Sequence, residues 1–139
     1  MEYKRIKDRI FLRLEKGEEI CASIKEVAKK ENIAAAAVLG IGATDDFTVG
    51  VFDTVKKAYE EYAFSGNHEI NALVGNISEK DGEPYVHLHI TCTGKGAKVV
   101  GGHLLSGVIS LTAEIVIDVR GCAIGRKRDD ALGINLWDL

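Results

Sequence analysis

The stretch YVHLHITC, Tyr85 to Cys92, alternates its side chains with a period of two, and no other feature constrains the fold of this chain as strongly. In an extended strand successive side chains point to opposite faces, so Val86, Leu88, Ile90 and Cys92 make one wholly apolar face while Tyr85, His87, His89 and Thr91 share the other. An apolar face of this kind has to look into a core, which places the strand in a sheet with one covered side. The segment TGKGAK then closes a hairpin, and the return strand VVGGHL carries His103. With the loop centred on Lys95 or Gly96, His103 falls opposite His87 or His89, so the pairing predicts three imidazoles on one face, while a slip of one residue sends His103 to the other. Gly101 and Gly102 remove bulk beside His103, which leaves room for a ligand or a partner chain.

The rest of the chain reads as strands around one helix. In YKRIKDRIFLRLEKGEE, Ile6, Ile10, Leu12 and Leu14 alternate with charges, the pattern of one half-buried strand. From Glu18 the period becomes helical through Ile20, Ile24, Val27 and Ala28, with Lys29 and Lys30 near the end, which predicts a helix of about four turns. IAAAAVLGIGATDDFTVGVFD reads as two buried strands separated near Ala43 to Asp46. A further strand through Ile70 and Val74 follows a break at SGN, and Asp81-Gly82 is the signal of a tight hairpin turn. GVISLTAEIVIDV is a β-branched run of the kind found in a fully buried or central strand, and the tail is read as loop ending in an apolar anchor, Leu136, Trp137 and Leu139. The expected architecture is α+β: a large, mostly antiparallel sheet with one main helix packed on it, in a single domain over residues 1–139.

A chain of 139 residues buries enough surface to fold without staples. The formal charge of −3 sets the whole-molecule field against a polyanion, which weighs against nucleic acid as a partner. Cys21, Cys92 and Cys122 are odd in number, widely spaced and lack a CxxC pair, so neither a disulfide framework nor a thiolate zinc site is expected, and a reducing compartment follows. No stretch reaches the roughly 20 apolar residues of a membrane span, and the N-terminus lacks the apolar core of a signal peptide; the expected location is cytoplasmic, away from membranes.

Three neutral imidazoles with an unfilled fourth position match open zinc sites, in which water, substrate or an outside carboxylate completes the tetrahedron; other transition metals accept the same donors. The alternative for His87, His89 and His103 is a set of half-buried sheet residues hydrogen-bonded to their neighbours. Glu69 and Glu114 are carboxylates on strands, to be exposed, paired or set beside the histidines as orienting or proton-transferring groups, and Glu69 is the candidate catalytic residue. His68 faces away from Glu69 and reads as a loop-edge or interface residue, not a fourth ligand. GKGAKVVGG lacks the Lys-Ser/Thr ending of a phosphate loop and runs into a strand.

GNHEINALVGNIS, DGEPYVHLHITC and VVGGHLLSGVISLTAEIVI together resemble the PPC domain, the plants and prokaryotes conserved family, which occurs alone in bacteria and archaea and behind AT-hooks in plant nuclear proteins. The residues that carry the resemblance are Gly66, Glu69, Leu73, Gly75, the His87/His89 pair, Gly101-Gly102-His103 and Thr112-Ala113-Glu114. The resemblance implies a stand-alone prokaryotic α+β subunit that assembles as a homotrimer about a three-fold axis. It also implies a metal site on His87, His89 and His103, because some members resemble metal-binding proteins through these histidines. The DNA-binding label of prokaryotic members comes from the plant AT-hook, an Arg-Gly-Arg core flanked by proline. Here the nearest basic run, Gly125-Arg126-Lys127-Arg128, has no such core and is followed by Asp129 and Asp130. Three readings follow: a self-associating module that holds a metal, a small molecule or a protein partner; a metal-dependent hydrolase or lyase with Glu69 as proton shuttle; and a DNA-binding protein.

Overall fold

Arg9–Glu15 shows how this chain builds its sheet: Ile10, Leu12 and Leu14 are at most 2% exposed while Arg9, Phe11, Arg13 and Glu15 face out. The computed structural model describes residues Met1–Leu139. Its elements are β1 (Glu2–Ile6), β2 (Arg9–Glu15), α1 (Ile20–Lys30), β3 (Ala36–Asp53), β4 (Ala58–Lys80), β5 (Glu83–Thr93), β6 (Val99–Val119), β7 (Gly125–Asp129) and β8 (Ile134–Asp138). The eight strands form one sheet and the single helix packs on it against β5 and β6, as expected of the α+β class. Pairing is antiparallel apart from one parallel contact between Glu79 and Gly125.

The path of the sheet is β1-β2-β6-β3-β4-β7-β8, and β5 pairs with both β4 and β6. Because β3 also pairs with β4 and β6, the four strands β3, β4, β5 and β6 close on themselves in a ring. One cluster of 23 buried residues forms the core, among them Phe47, Leu73, Leu88, Ile90, Ile115 and Ile117, with Ile10, Leu12 and Leu14 supplied by β2 and Ile20, Ile24 and Val27 by the helix. Each such aliphatic or aromatic side chain contributes about 1.5–3 kcal/mol on burial. The helix begins where Glu19 caps the amide of Ala22 and ends beside Lys29 and Lys30, as its dipole favours.

Several local expectations are corrected. The N-terminal segment is two strands, not one: the chain turns at Lys7 (φ +54°), so Ile6 ends its strand half exposed instead of joining the buried stripe. The helix spans 11 residues, about three turns. β3 runs through Ala43–Asp46 without a turn, and β4 runs through the SGN segment; register shifts at Gly40/Gly42 and Thr44/Asp46, and Gly66 at φ +85°, bend the strands instead of ending them. A bulge and a turn draw on the same residue types, and the cross-strand partners on both sides of β3 make the difference. Asp81 (φ +54°) and Gly82 (φ +77°) do form the tight turn. The run Gly107–Val119 lies centrally between β2 and β3, but only one of its faces is buried, since Glu114 is exposed between Ala113 and Ile115. The tail is the β7–β8 hairpin instead of a loop, and Trp137 (46% exposed) and Leu139 (91% exposed) stay outside the buried core.

Close pairing of β4 with β5 depends on Gly75, where a Cβ would lie 2.0 Å from the carbonyl oxygen of His87. Gly75→Ala is expected to destabilise by about 1–3 kcal/mol in urea denaturation, the range for forced overpacking. Gly121→Ala, with nothing within 4 Å of the added atom, is the control and should change stability by less than about 0.5 kcal/mol.

Candidate metal centre

Leu88 and Ile90 are 1% exposed and Cys92 is fully buried, so the opposite face of β5 carries His87 and His89 outward. The loop after Thr93 turns through Gly96 (φ +71°) and Ala97 (φ +57°), which sets His103 of β6 directly across from His89. Gly101 and Gly102 serve this pairing and do not leave room for a ligand: a Cβ on Gly101 would lie 2.3 Å from the carbonyl oxygen of Ile90, and one on Gly102 3.0 Å from that of Gly50. Both glycines permit close approach of neighbouring strands.

The three rings converge. Their centroids are 5.3 Å apart for His87 and His89, 5.0 Å for His87 and His103, and 5.4 Å for His89 and His103. Each ring offers a nitrogen within 4.8 Å of those of the other two. Bonds from zinc to imidazole are about 2.0–2.1 Å, which sets tetrahedral donors roughly 3.4 Å apart, so the nitrogens draw together by up to about 1.4 Å to share one ion. His103 Nδ1 is buried with no hydrogen-bond partner, an atom that a metal ion would satisfy. The donor set is all nitrogen, which suits zinc and its transition-metal neighbours. On this observation the residues fit a metal.

Two side chains that sequence reasoning did not single out shape the site. Tyr59 of β4 stacks on His103 at 4.8 Å between centroids, with an interplanar angle of 20°. Gly50 makes room for that ring, since a Cβ there would lie 2.5 Å from Tyr59 Cδ1. From β7, the half-buried Arg126 lies over the Tyr85 ring at 4.4 Å and donates to Ser78 Oγ (2.7 Å), Asn135 O (2.9 Å) and Asn76 Oδ1 (2.9 Å). Its Nη2 also stands 3.5 Å from His87 Nδ1. The basic run is visible in the sequence, but nothing local shows that Arg126 turns inward while Lys127 and Arg128 pair outward with Asp138 and Asp130.

Burial and the neighbouring imidazoles push the His103 pKa down to about 4. Burial, Arg126 and His89 lower that of His87. Both rings are therefore neutral at neutral pH, the state in which imidazole binds metal. Cys92 is on the opposite face with its thiol pushed up to about 11 by burial, so it takes no part.

The remaining candidates do not join the cluster. Glu69 is exposed on β4 opposite Thr93, four residues along β5 from His89 and thus roughly 13 Å away. Glu114 is exposed between Arg13 and Ile41 on the outer sheet face. His68 packs edge-on against Phe47 and its Nδ1 donates to the Gly66 carbonyl oxygen, 2.6 Å away. His68 and Glu69 line a groove of about 1070 Å³ whose walls do not include the three histidines.

A ring-closed sheet that presents three histidines on one outer face defines the class: a small α+β protein with a candidate three-histidine metal centre. Residues 1–119 match the model of the Plants and Prokaryotes Conserved (PCC) domain, and the chain belongs to that family. It is similar to a solved plant- and prokaryote-conserved (PPC) protein of Pyrococcus horikoshii, with 36% identity over 99% of this chain and 94% of that one and a TM-score of 0.88. A metal-containing protein of Archaeoglobus fulgidus is 33% identical over 99% and 97% of the two chains, with a TM-score of 0.87. A "putative DNA binding protein" of Bacteroides thetaiotaomicron is 31% identical over 99% and 96%, with a TM-score of 0.95. No curated protein matches the chain.

In the metal-free protein, the depressed His103 pKa makes stability depend on pH with a definite sign. The folded state takes up its proton only near pH 4, whereas the unfolded chain does so near 6.5. The contribution is thus fully present above pH 6.5 and is lost as pH falls towards about 4. Urea midpoints measured with chelator across this window should decline, and His103→Gln should flatten the decline.

Proposed function

We propose that this protein is a self-associating binding module whose subunits each hold a transition metal ion, zinc by preference, on His87, His89 and His103. The observation that carries the reading is the convergence of three imidazoles, one of which has a buried nitrogen without a partner. Its likeness to the metal-containing protein of Archaeoglobus fulgidus supports it. When bound, the ion supplies a Lewis-acidic centre with an open coordination position. The chain's own part is to hold the donors: Tyr59 fixes the plane of His103, the cross-strand pair aligns it with His89, and the exposure of His89 keeps the site in contact with solvent.

The hydrolase or lyase reading needs a proton-transferring group at the centre, and Glu69 is too distant to serve. For DNA, the chain offers an overall charge of −3 and a basic run whose Arg126 is engaged within the subunit. The module reading is therefore preferred to both. A cytoplasmic setting accords with three free cysteines and with the lack of any helix long and apolar enough to cross a membrane.

Self-association is supported by the outer face. A cross-strand row runs from Phe11 through Val116, Leu39 and Val74 to His89 and His103. Phe11 is 47%, Leu39 60%, Val74 43% and the adjacent Ile41 56% exposed, an apolar stripe of the kind that marks an interaction surface, assigned in this reading to copies of the chain. A homotrimer is the assembly that the family resemblance implies.

Elemental analysis of untagged protein should find about one equivalent of transition metal per chain, and His89→Ala should lose it; a metal-free wild type with intact fold overturns the metal reading. Light scattering should give about three times the subunit mass of 15.1 kDa, and Leu39→Glu should shift the protein to smaller species; a monomeric wild type overturns the assembly.

A further inference from the structure

Arg126 is a half-buried cation with no anion beside it. Its partners, Ser78 Oγ, Asn135 O, Asn76 Oδ1 and His87 Nδ1, are all neutral, and it lies over the neutral ring of Tyr85. The neighbouring Lys127 and Arg128, which are more exposed, each have an aspartate. Leaving the less exposed cation unpaired is the costlier arrangement. No carboxylate belongs to the histidine cluster either.

The chemistry of His87 sharpens the point. A guanidinium can only donate, so the contact from Nη2 uses the lone pair on His87 Nδ1. A neutral imidazole has one such lone pair, and the other nitrogen carries the proton. If His87 gives its lone pair to a metal ion, through either nitrogen, none remains to accept from Arg126. Loading the site thus leaves an Nη2 N–H without an acceptor, at most one imidazole ring from a divalent cation. Two positive centres and an unfilled donor then lie within about one imidazole ring of each other, with no negative charge supplied by the chain.

We infer that the site takes a small oxyanion, a carboxylate or a phosphate, as a further ligand, with one oxygen on the metal and another accepting from Arg126. The inference rests on the metal reading above and adds to it the class of molecule recognised. Charge-assisted bonds from the planar guanidinium fork to carboxylate or phosphate oxygens are the geometry that arginine serves better than lysine. Arg126 is then a specificity-determining residue, and it lies beyond residues 1–119 matched by the family model, on the C-terminal hairpin of this chain.

The test uses the full-length protein loaded with cobalt(II), whose visible absorption reports the ligands on the ion. Titration with sodium acetate and, separately, with inorganic phosphate at constant ionic strength should change the spectrum saturably, and the stronger of the two identifies the anion. Arg126→Gln should keep cobalt at the wild-type stoichiometry and weaken anion binding about tenfold or more, with Arg126→Lys in between. Equal anion affinity in wild type and a folded, cobalt-loaded Arg126→Gln overturns the inference, as does a cobalt-loaded wild type whose spectrum neither anion changes. Should Arg126→Gln lose its fold by circular dichroism, Arg126→Lys alone decides, with affinity equal to wild type overturning the proposal. A wild type that takes up no cobalt instead defeats the metal reading, and this inference with it.

Discussion

Hydrogen bonding of β5 along both of its edges is the constraint on which the structure depends. One edge pairs with β4 and the other with β6, so the position of His89 is fixed by Val74 on one side and His103 on the other. The inward side chains Leu88, Ile90 and Cys92 hold the same register, because a slip by one residue would turn all three out of the core and the histidines in. Two ladders and one buried face thus determine the same alignment, and the ring of four strands follows from it. The glycines at positions 75, 101 and 102 let neighbouring backbones approach closely enough for those ladders to form.

The outer face inherits its chemistry from that alignment. Three imidazoles are gathered there, and burial with neighbouring groups disfavours the charged forms of His87 and His103, so these two stand ready as neutral donors. A guanidinium held by neutral acceptors stands against one of them. The chain as a whole is acidic, yet the charged group that stands against His87 is a guanidinium. Net charge therefore says little about what the site prefers, while it does bear on long polyanions that sample the whole surface. Fold alone does not decide among the activities a shared architecture can host; the side chains placed on this one outer face do.

Much of this was legible in the sequence. The alternation in Tyr85–Cys92 is strict enough to assign its faces, the TGKGAK loop is short enough to limit the register, and Asp81-Gly82 carries its own turn conformation. Less legible were the bends of β3 and β4, where glycines and polar residues that would serve equally in a turn are kept extended by partners distant in sequence. Tyr59 and Arg126 reach the histidines from β4 and β7, one before the histidine hairpin and one after it, and no local pattern ties either to that site. Trp137 shows the converse: an apolar residue near the chain end suggests an anchor, and the hairpin leaves it half exposed.

By itself the sequence determined which faces of β2 and β5 are apolar, where the one helix lies and that His87 and His89 point the same way, because those properties depend on periods of two and 3.6 along a continuous chain. Tertiary structure alone decided that β5 is paired on both edges, that Glu69 lies far from the imidazoles and that Arg126 lies beside them. Distances between strands are set by ladders joining segments tens of residues apart, and such pairings leave no periodic trace in either partner.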